Sequence, residues 1–225
     1  MIRLIWIVFC LSFTAQAGDL FYGYEAYYTM QPGRLFSGNG HDLEPFSEAG
    51  TDGVIFGWRG RDAGRSHTVE LRDGRIKLDG KILSERTVKA FPGERVYAGD
   101  LDRSSVVFFA GTWACIEDTP PSASGTAARH KSVYFIKLGK QHQAWKLPTL
   151  FASCLGVRMK AGQPIFDKVQ YRYQDGNDAP VGVTFTEYAI KGGGFVETGS
   201  VRNATFVEGD NVYKFALLDG GQQER

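Results

Sequence analysis

The clearest hydrophobic pattern in the chain lies near its C-terminus and has a period of two. Apolar and polar residues alternate along 168–174, which places Val169, Tyr171 and Tyr173 on one face of a β-strand. Stretches rich in Gly, Asn and Asp then separate further alternating segments. Residues 163–218 therefore predict four strands joined by short turns.

The first part of the chain predicts more strands. Asp-Gly pairs at 73–74 and 79–80 separate short alternating segments, and this dipeptide supplies the positive φ angles of tight hairpins. Residues 104–116 are apolar nearly throughout, which is typical of a strand buried on both faces. We expect a mainly β fold, an antiparallel β-sandwich or meander-type sheets with long loops and at most one or two short helices.

Three segments give weaker patterns. Residues 19–30 carry many aromatic side chains and predict a first strand, whose tyrosines either fill the core or form an exposed platform. Residues 31–51 predict an irregular loop, and 84–91 a single helical turn. The long polar segment 117–131, between two apolar strands, is the leading candidate for a partner-binding loop.

The N-terminus has the layout of a secretory signal peptide. A short basic start is followed by an apolar run over 4–13 and by Ala-Gln-Ala at 15–17. The run is shorter than the roughly 20 residues of a membrane span. We expect cleavage of 1–17, a single β-rich domain over 18–225 in the periplasm or outside the cell, and no transmembrane segment. A division into two β units near residue 140 stays open.

Charge argues against two classes of partner. Removing residues 1–17 takes away Arg3, one of 26 basic residues, and leaves all 25 acidic ones, so the mature chain is formally neutral. Nucleic-acid binding and polybasic attraction to membranes both need a basic excess. Neither is expected.

Cys115 and Cys154 are the cysteines that remain after cleavage. In an oxidising compartment two cysteines most simply form one disulfide. A reactive thiol assisted by a histidine is the alternative, and no local motif supports it.

No catalytic or metal-binding motif occurs in the chain. There is no G-x-S-x-G and no H-E-x-x-H, and the four histidines are scattered singly. The Asp-rich stretches at 100–104 and 175–178 lack the Gly and Glu of a calcium-binding loop, which favours turns capped by aspartate, although a weak calcium site stays open. We expect no cofactor and no enzymatic activity, with a catalytic triad assembled in three dimensions as the alternative.

In general character the chain resembles the periplasmic immunity proteins that neutralise secreted interbacterial toxins, and envelope inhibitors of cell-wall hydrolases. The resemblance lies in a cleaved signal, a β-rich chain, one disulfide and long loops, and in no motif, so no family residues are carried over. It implies a protein that blocks the active site of a lipid- or peptidoglycan-degrading toxin in the cell envelope. The alternative is a carbohydrate- or peptidoglycan-binding β-sandwich with the N-terminal tyrosines and Trp58 or Trp145 as stacking platforms.

The residues expected to contact a partner are of two kinds. Charged residues of the long loop would form ion pairs, and N-terminal tyrosines would act as aromatic anchors. They are Glu117, Asp118, Arg129, Tyr22, Tyr24, Tyr27 and Tyr28.

Overall fold

A computed structural model describes most of the chain after the predicted signal peptide. The described residues are 19–38, 43–50, 53–62, 64–72, 75–83, 87–96, 101, 105–118 and 125–218. The predicted signal peptide, most of the Asp-rich stretch 100–104 and residues 119–124 of the long loop lie outside them. Within these ranges no helix has the length and apolar character needed to cross a membrane.

The described chain is mainly β, as the sequence predicts. Sixteen strands and one α-helix are assigned, with two short 3-10 turns at Ala127–Arg129 and Cys154–Gly156. In chain order the elements are β1 Leu20–Tyr22, α1 Tyr24–Met30, β2 Leu43–Gly50, β3 Gly53–Asp62, β4 Arg65–Arg72, β5 Arg75–Leu78, β6 Lys81–Leu83, β7 Val88–Ala90, β8 Val106–Ala110, β9 Trp113–Glu117, β10 Val133–Lys137, β11 Gln143–Lys146, β12 Arg158–Lys160, β13 Gln163–Tyr173, β14 Pro180–Lys191, β15 Gly194–Phe206 and β16 Lys214–Leu217.

The strands form three sheets. The N-terminal sheet has the order β2-β3-β4-β5-β6, the middle sheet β7-β11-β10-β9-β8, and the C-terminal sheet β1-β16-β15-β14-β13-β12. The predicted four-strand meander is confirmed as β13 to β16, and β1 joins it by antiparallel pairing with β16. Neighbouring strands are antiparallel except β7 and β11, which run parallel.

The middle sheet has apolar residues on both faces. Val107 and Ile116 belong to a cluster that includes Val69 and Leu78 of the N-terminal sheet. Phe108, Cys115 and Phe135 belong to a second cluster, which includes Phe166 and Ile190 of the C-terminal sheet. The predicted burial of this segment on both faces is confirmed. The prediction of a single strand over 104–116 is wrong, because the chain turns at 111–112 and forms two strands, β8 and β9, that pair antiparallel. Each fully buried large apolar side chain contributes about 1.5–3 kcal/mol.

A short helix, rather than an extended strand, follows β1. Gly23 has a φ of 97°, in the region that favours glycine, and the chain turns there from β1 into α1. Tyr24, Tyr27 and Tyr28 stand at positions i, i+3 and i+4, so they share one helix face and pack on the C-terminal sheet. The prediction of one strand through 19–30 is therefore wrong beyond Tyr22.

Two further segments differ from their predictions because they find strand partners. The predicted loop 31–51 contains β2, which pairs with β3 from Leu43 opposite Gly60 to Gly50 opposite Gly53. The predicted helical turn contains β7, paired with β11. Tertiary pairing overrides weak local preference in both cases.

The middle sheet also contains the point proposed for a domain division. Residue 140 falls in the turn between β10 and β11, which pair along their length from Tyr134–Lys146 to Lys137–Gln143.

Candidate binding pocket

A pocket of about 210 Å³ lies where the N-terminal segment meets the end of the long loop. One wall is the β1–α1 junction, and another is the 3-10 turn at Ala127–Arg129. The segment 151–153 forms the base between them. Its lining includes Tyr22, Tyr24, Arg129, Lys131, Phe151 and Tyr213.

The base of the pocket is aromatic and fixed by hydrogen bonds. The ring of Tyr24 stacks on Phe151 at a centroid distance of 3.7 Å, and Tyr213 meets Phe151 edge-on at 5.7 Å. The Tyr24 hydroxyl donates to the carbonyl of Val212 at 3.2 Å, and the Tyr28 hydroxyl donates to that of Phe151 at 2.9 Å. Burial raises the pKa of Tyr24 and of Tyr28 well above its usual value, so both hydroxyls stay protonated as donors.

Phe151 has an unusual backbone conformation. Its φ is 52°, in the left-handed region that bulky residues rarely adopt. The backbone is held there by a 2.6 Å hydrogen bond from the Phe151 N–H to the carbonyl of Arg129. Such conformations cost about 1–3 kcal/mol and cluster at binding sites. At this position the conformation joins the base of the pocket to the turn that carries Arg129.

Lys131, which lines the pocket, forms ion pairs with two carboxylates. The Lys131 ammonium lies 2.6 Å from Glu117 Oε1 and 3.2 Å from Glu25 Oε1. Burial by itself lowers the pKa of Lys131, but the two carboxylates outweigh it and hold that pKa above its ordinary value. Lys131 is therefore charged at neutral pH and occupied by its two partners.

Glu117 also anchors the base of the pocket. Its Oε2 accepts hydrogen bonds from the Ser153 hydroxyl at 2.9 Å and from the backbone N–H of Cys154 at 2.8 Å. The predicted disulfide between Cys115 and Cys154 is confirmed, with 5.8 Å between the Cα atoms. Cys115 and Glu117 are two residues apart on β9 and so lie on one face of the strand. The base is thereby fastened to the middle sheet.

Arg129, two residues before Lys131, has different partners. Its Nη1 donates to the Tyr171 hydroxyl at 2.9 Å, and its Nε is buried with no hydrogen-bond partner. Within the described part of the chain it forms no ion pair with a carboxylate. Burial raises the pKa of Tyr171 more than contact with Arg129 lowers it, so Arg129 faces a neutral phenol.

The structure brings several of the predicted contact residues together and buries others. Tyr22, Tyr24, Tyr28 and Arg129 line the pocket. Tyr22 is 70% exposed, whereas Tyr24, Tyr27 and Tyr28 are buried in the core.

Glu117 and Asp118 are also buried, and both have partners in the protein. The proposed stacking tryptophans, Trp58 and Trp145, are 6% and 3% exposed, so neither presents a ring to solvent. Accessible aromatic surface at the pocket comes from Tyr22 and from Tyr213, which is 41% exposed.

Sequence reasoning missed Lys131, Phe151 and Tyr213. The disulfide prediction carried a usable signal, since a bond between Cys115 and Cys154 must bring residues 151–153 close to Glu117. Nothing local to Tyr213 indicated the pocket, because it reaches there through the pairing of β16 with β1.

A second polar cluster lies beneath α1. The side chain of Asp167 accepts hydrogen bonds from Arg158 at 3.0 Å and from Arg202 at 2.8 Å, and Arg158 also lies 3.4 Å from Glu187. The Tyr27 hydroxyl donates to Asp167 at 3.4 Å. These contacts hold α1 on the C-terminal sheet, and with it the helical wall of the pocket.

The Ser153 hydroxyl at the pocket is engaged in hydrogen bonds within the protein. The Ser153 hydroxyl donates to Glu117 and accepts from the N–H of Leu155, so it is fully engaged. No histidine lines the pocket. Across the described ranges no group of three or more His, Cys, Asp and Glu side chains is arranged to hold a metal ion.

Comparison with known proteins gives no relative for this chain. No protein-family model matches it, and no curated protein or solved structure does either.

Proposed function

We propose that the protein is an exported, non-enzymatic binding protein that neutralises a protein partner, and that the pocket between α1 and residues 151–153 holds an anchor side chain of that partner. As an immunity or inhibitor protein it would block a lipid- or peptidoglycan-degrading toxin of the cell envelope. The observation that carries the proposal is that two exposed tyrosines, Tyr22 and Tyr213, line a pocket whose aromatic base is held by hydrogen bonds.

The size of the pocket favours a side chain over a whole small molecule. Small-molecule sites commonly enclose about 300–1,000 Å³. This pocket has about 210 Å³. Pockets that take a single anchor residue supply much of the energy of protein interfaces, and tyrosine is enriched at such positions.

The pocket is also rigid, which favours affinity. Tyr24 and Tyr28 are held by hydrogen bonds to the backbone, and the base is tied to β9 by the disulfide and by Glu117. Because these groups are ordered before a partner arrives, binding loses less conformational entropy.

Capture from an envelope extract of the source cells tests the proposal. The bait is the mature chain, the variant is Tyr22→Ser/Tyr213→Ser, and the control is Ile82→Ser. Ile82 is 54% exposed on β6 of the N-terminal sheet, so the control removes equivalent apolar surface elsewhere. We expect one stoichiometric protein with wild type and control, and its loss with the pocket variant.

The captured protein is then assayed on phospholipid vesicles and on purified peptidoglycan. Inhibition by the wild type and not by the pocket variant supports neutralisation. Binding to peptidoglycan or to a glycan array with no protein captured would contradict the proposal and favour a carbohydrate-binding module.

A further inference from the structure

The two cations of the pocket differ in how their charges are matched. Lys131 contacts the carboxylates of Glu25 and Glu117 at 3.2 and 2.6 Å. Arg129 contacts a neutral phenol through Nη1, and its Nε is buried and unpaired. The buried Arg158 also has an unpaired Nε, but its Nη2 is paired with the carboxylates of Asp167 and Glu187. Among the described residues no carboxylate pairs with Arg129, which is thus a partly buried cation whose charge they leave unmatched.

A cation in this position is unfavourable until an anion reaches it. Withdrawing a guanidinium from water weakens its solvation, and an unpaired buried N–H adds to that loss. The surroundings of Arg129 are aromatic, with Tyr24, Phe151 and Tyr171 nearby. An incoming carboxylate would restore the missing interaction, because the guanidinium fork matches its two oxygens.

The two carboxylates nearest this site, Glu25 in the pocket lining and Glu117 outside it, are in contrast both paired with Lys131. A cationic group of a partner would have to displace Lys131 from Glu25 or from Glu117. Glu117 also accepts from Ser153 and Cys154, so all of its contacts are internal. Glu117 and Asp118, which the sequence predicted to form ion pairs with a partner, already have partners within the protein.

We infer that the anchor which the partner inserts is an acidic side chain, Asp or Glu, next to an apolar residue. The inference rests on the proposed function for the existence of a protein partner. The carboxylate binds Arg129, and the neighbouring apolar side chain packs between Tyr22 and Tyr213. The carboxylate belongs to a protein side chain, because the pocket has about the volume of one large residue.

Short peptides test this without a known partner. The probes are N-acetylated, C-amidated Ala-Phe-Glu-Ala, with Gln or Lys in place of Glu as matched competitors. Binding to the mature chain is followed through the ring resonances of Tyr24 and Tyr213. We expect the Glu peptide to bind roughly tenfold more tightly than the Gln peptide, as for a charge-assisted hydrogen bond. Added salt should reduce this preference, because the site opens to solvent.

Variants assign the preference to Arg129. Arg129→Gln should bring the ratio of Glu-peptide to Gln-peptide affinity close to one. Arg129→Lys should leave an intermediate ratio, because the ammonium keeps the charge but loses the planar two-donor geometry of the guanidinium. Arg59→Gln is the control, since this exposed arginine lies on β3 and is paired with Glu48. It should keep the full preference. Unchanged urea midpoints would establish that each variant is folded.

Several outcomes would overturn the inference. They are equal or better binding of the Gln or Lys peptide, a preference that survives in Arg129→Gln, and no ring shift with any peptide. Partner capture that needs Tyr22 and Tyr213 but not Arg129 would reject the carboxylate and leave the proposed function standing. A preference for Glu that depends on Arg129, with no partner captured, would reject the proposed function and leave the anion site.

Discussion

The backbone N–H of Cys154 donates a 2.8 Å hydrogen bond to Oε2 of Glu117, two residues after the cysteine to which Cys154 is bonded. A covalent bond and a charge-assisted hydrogen bond therefore hold one loop to one strand face. That loop supplies Phe151 and Ser153 to the pocket, so the stability of this junction and the shape of the pocket are expected to vary together.

Removing the disulfide should weaken the fold. We expect Cys115→Ala/Cys154→Ala to lower the free energy of unfolding by about 4 kcal/mol, because a bond across 39 residues restricts the unfolded chain. Urea denaturation of the variant and of the oxidised wild type measures the difference. A loss below about 1 kcal/mol would contradict this estimate and would leave the hydrogen bonds of Glu117 as the main fastening.

Replacing Glu117 should destabilise the protein far more than replacing Glu25, the other carboxylate paired with Lys131. Glu117→Gln weakens the ion pair with Lys131 and sets an amide beside donors, so we expect a loss of about 2–3 kcal/mol in urea denaturation. Glu25→Gln is the matched control, since Glu25 pairs with the same lysine but is exposed. It should cost no more than about 1 kcal/mol. Equal losses would show that Glu117 has no special role.

The N-terminal tyrosines should separate into core and surface residues. Tyr27 is fully buried and stacks on Phe185 at 4.3 Å, so Tyr27→Ala should lower the free energy of unfolding by about 4 kcal/mol. Tyr22→Ala should change it by less than about 0.5 kcal/mol, because that ring is exposed. Thermal and urea denaturation both report this contrast. Similar effects would contradict the helical placement of Tyr27.

The free energy of unfolding should fall at acidic pH because Glu187 becomes protonated. Burial raises the pKa of Glu187, but hydrogen bonds from Lys160 and Thr198, with the charges of Lys160 and Arg158, outweigh it and lower that pKa below 4.5. A lowered pKa means that the folded state binds this proton more weakly than the unfolded chain. The contribution is therefore complete above pH 4.5 and is lost as the pH falls through the folded-state pKa.

Urea midpoints measured from pH 7 to pH 3 test this dependence. Glu187→Gln should be less stable by about 2–3 kcal/mol at pH 7 and should fall less steeply than wild type below pH 4.5. Glu197→Gln on the neighbouring β15 is the control at pH 7, where replacing this exposed residue should change the free energy of unfolding by less than about 0.5 kcal/mol. Parallel curves for wild type and Glu187→Gln would refute the assignment.

The sequence by itself determined the parts of the fold that depend on local pattern. The alternation from residue 163 onwards and the Gly-rich turns predicted β13 to β16, because period two and turn chemistry are properties of neighbouring residues. The Asp-Gly pair at 79–80 likewise predicted a tight hairpin, and both residues have the positive φ angles that such a turn requires, 48° and 78°. The disulfide followed from counting cysteines in a chain predicted to be exported.

The tertiary structure decided how these pieces meet. The tyrosines at 22, 24 and 28 fit period two, yet Tyr24, Tyr27 and Tyr28 equally fit a helix, and only packing on the C-terminal sheet selects the helix. The pairing of β1 with β16 and the contact of Glu117 with Cys154 join residues distant in sequence, which no local pattern encodes. Whether a charge is matched depends on the same long-range contacts. The sequence thus placed Arg129 and Glu117 in one candidate loop. Only the fold paired Glu117 with Lys131 and left Arg129, among the described residues, without a carboxylate partner.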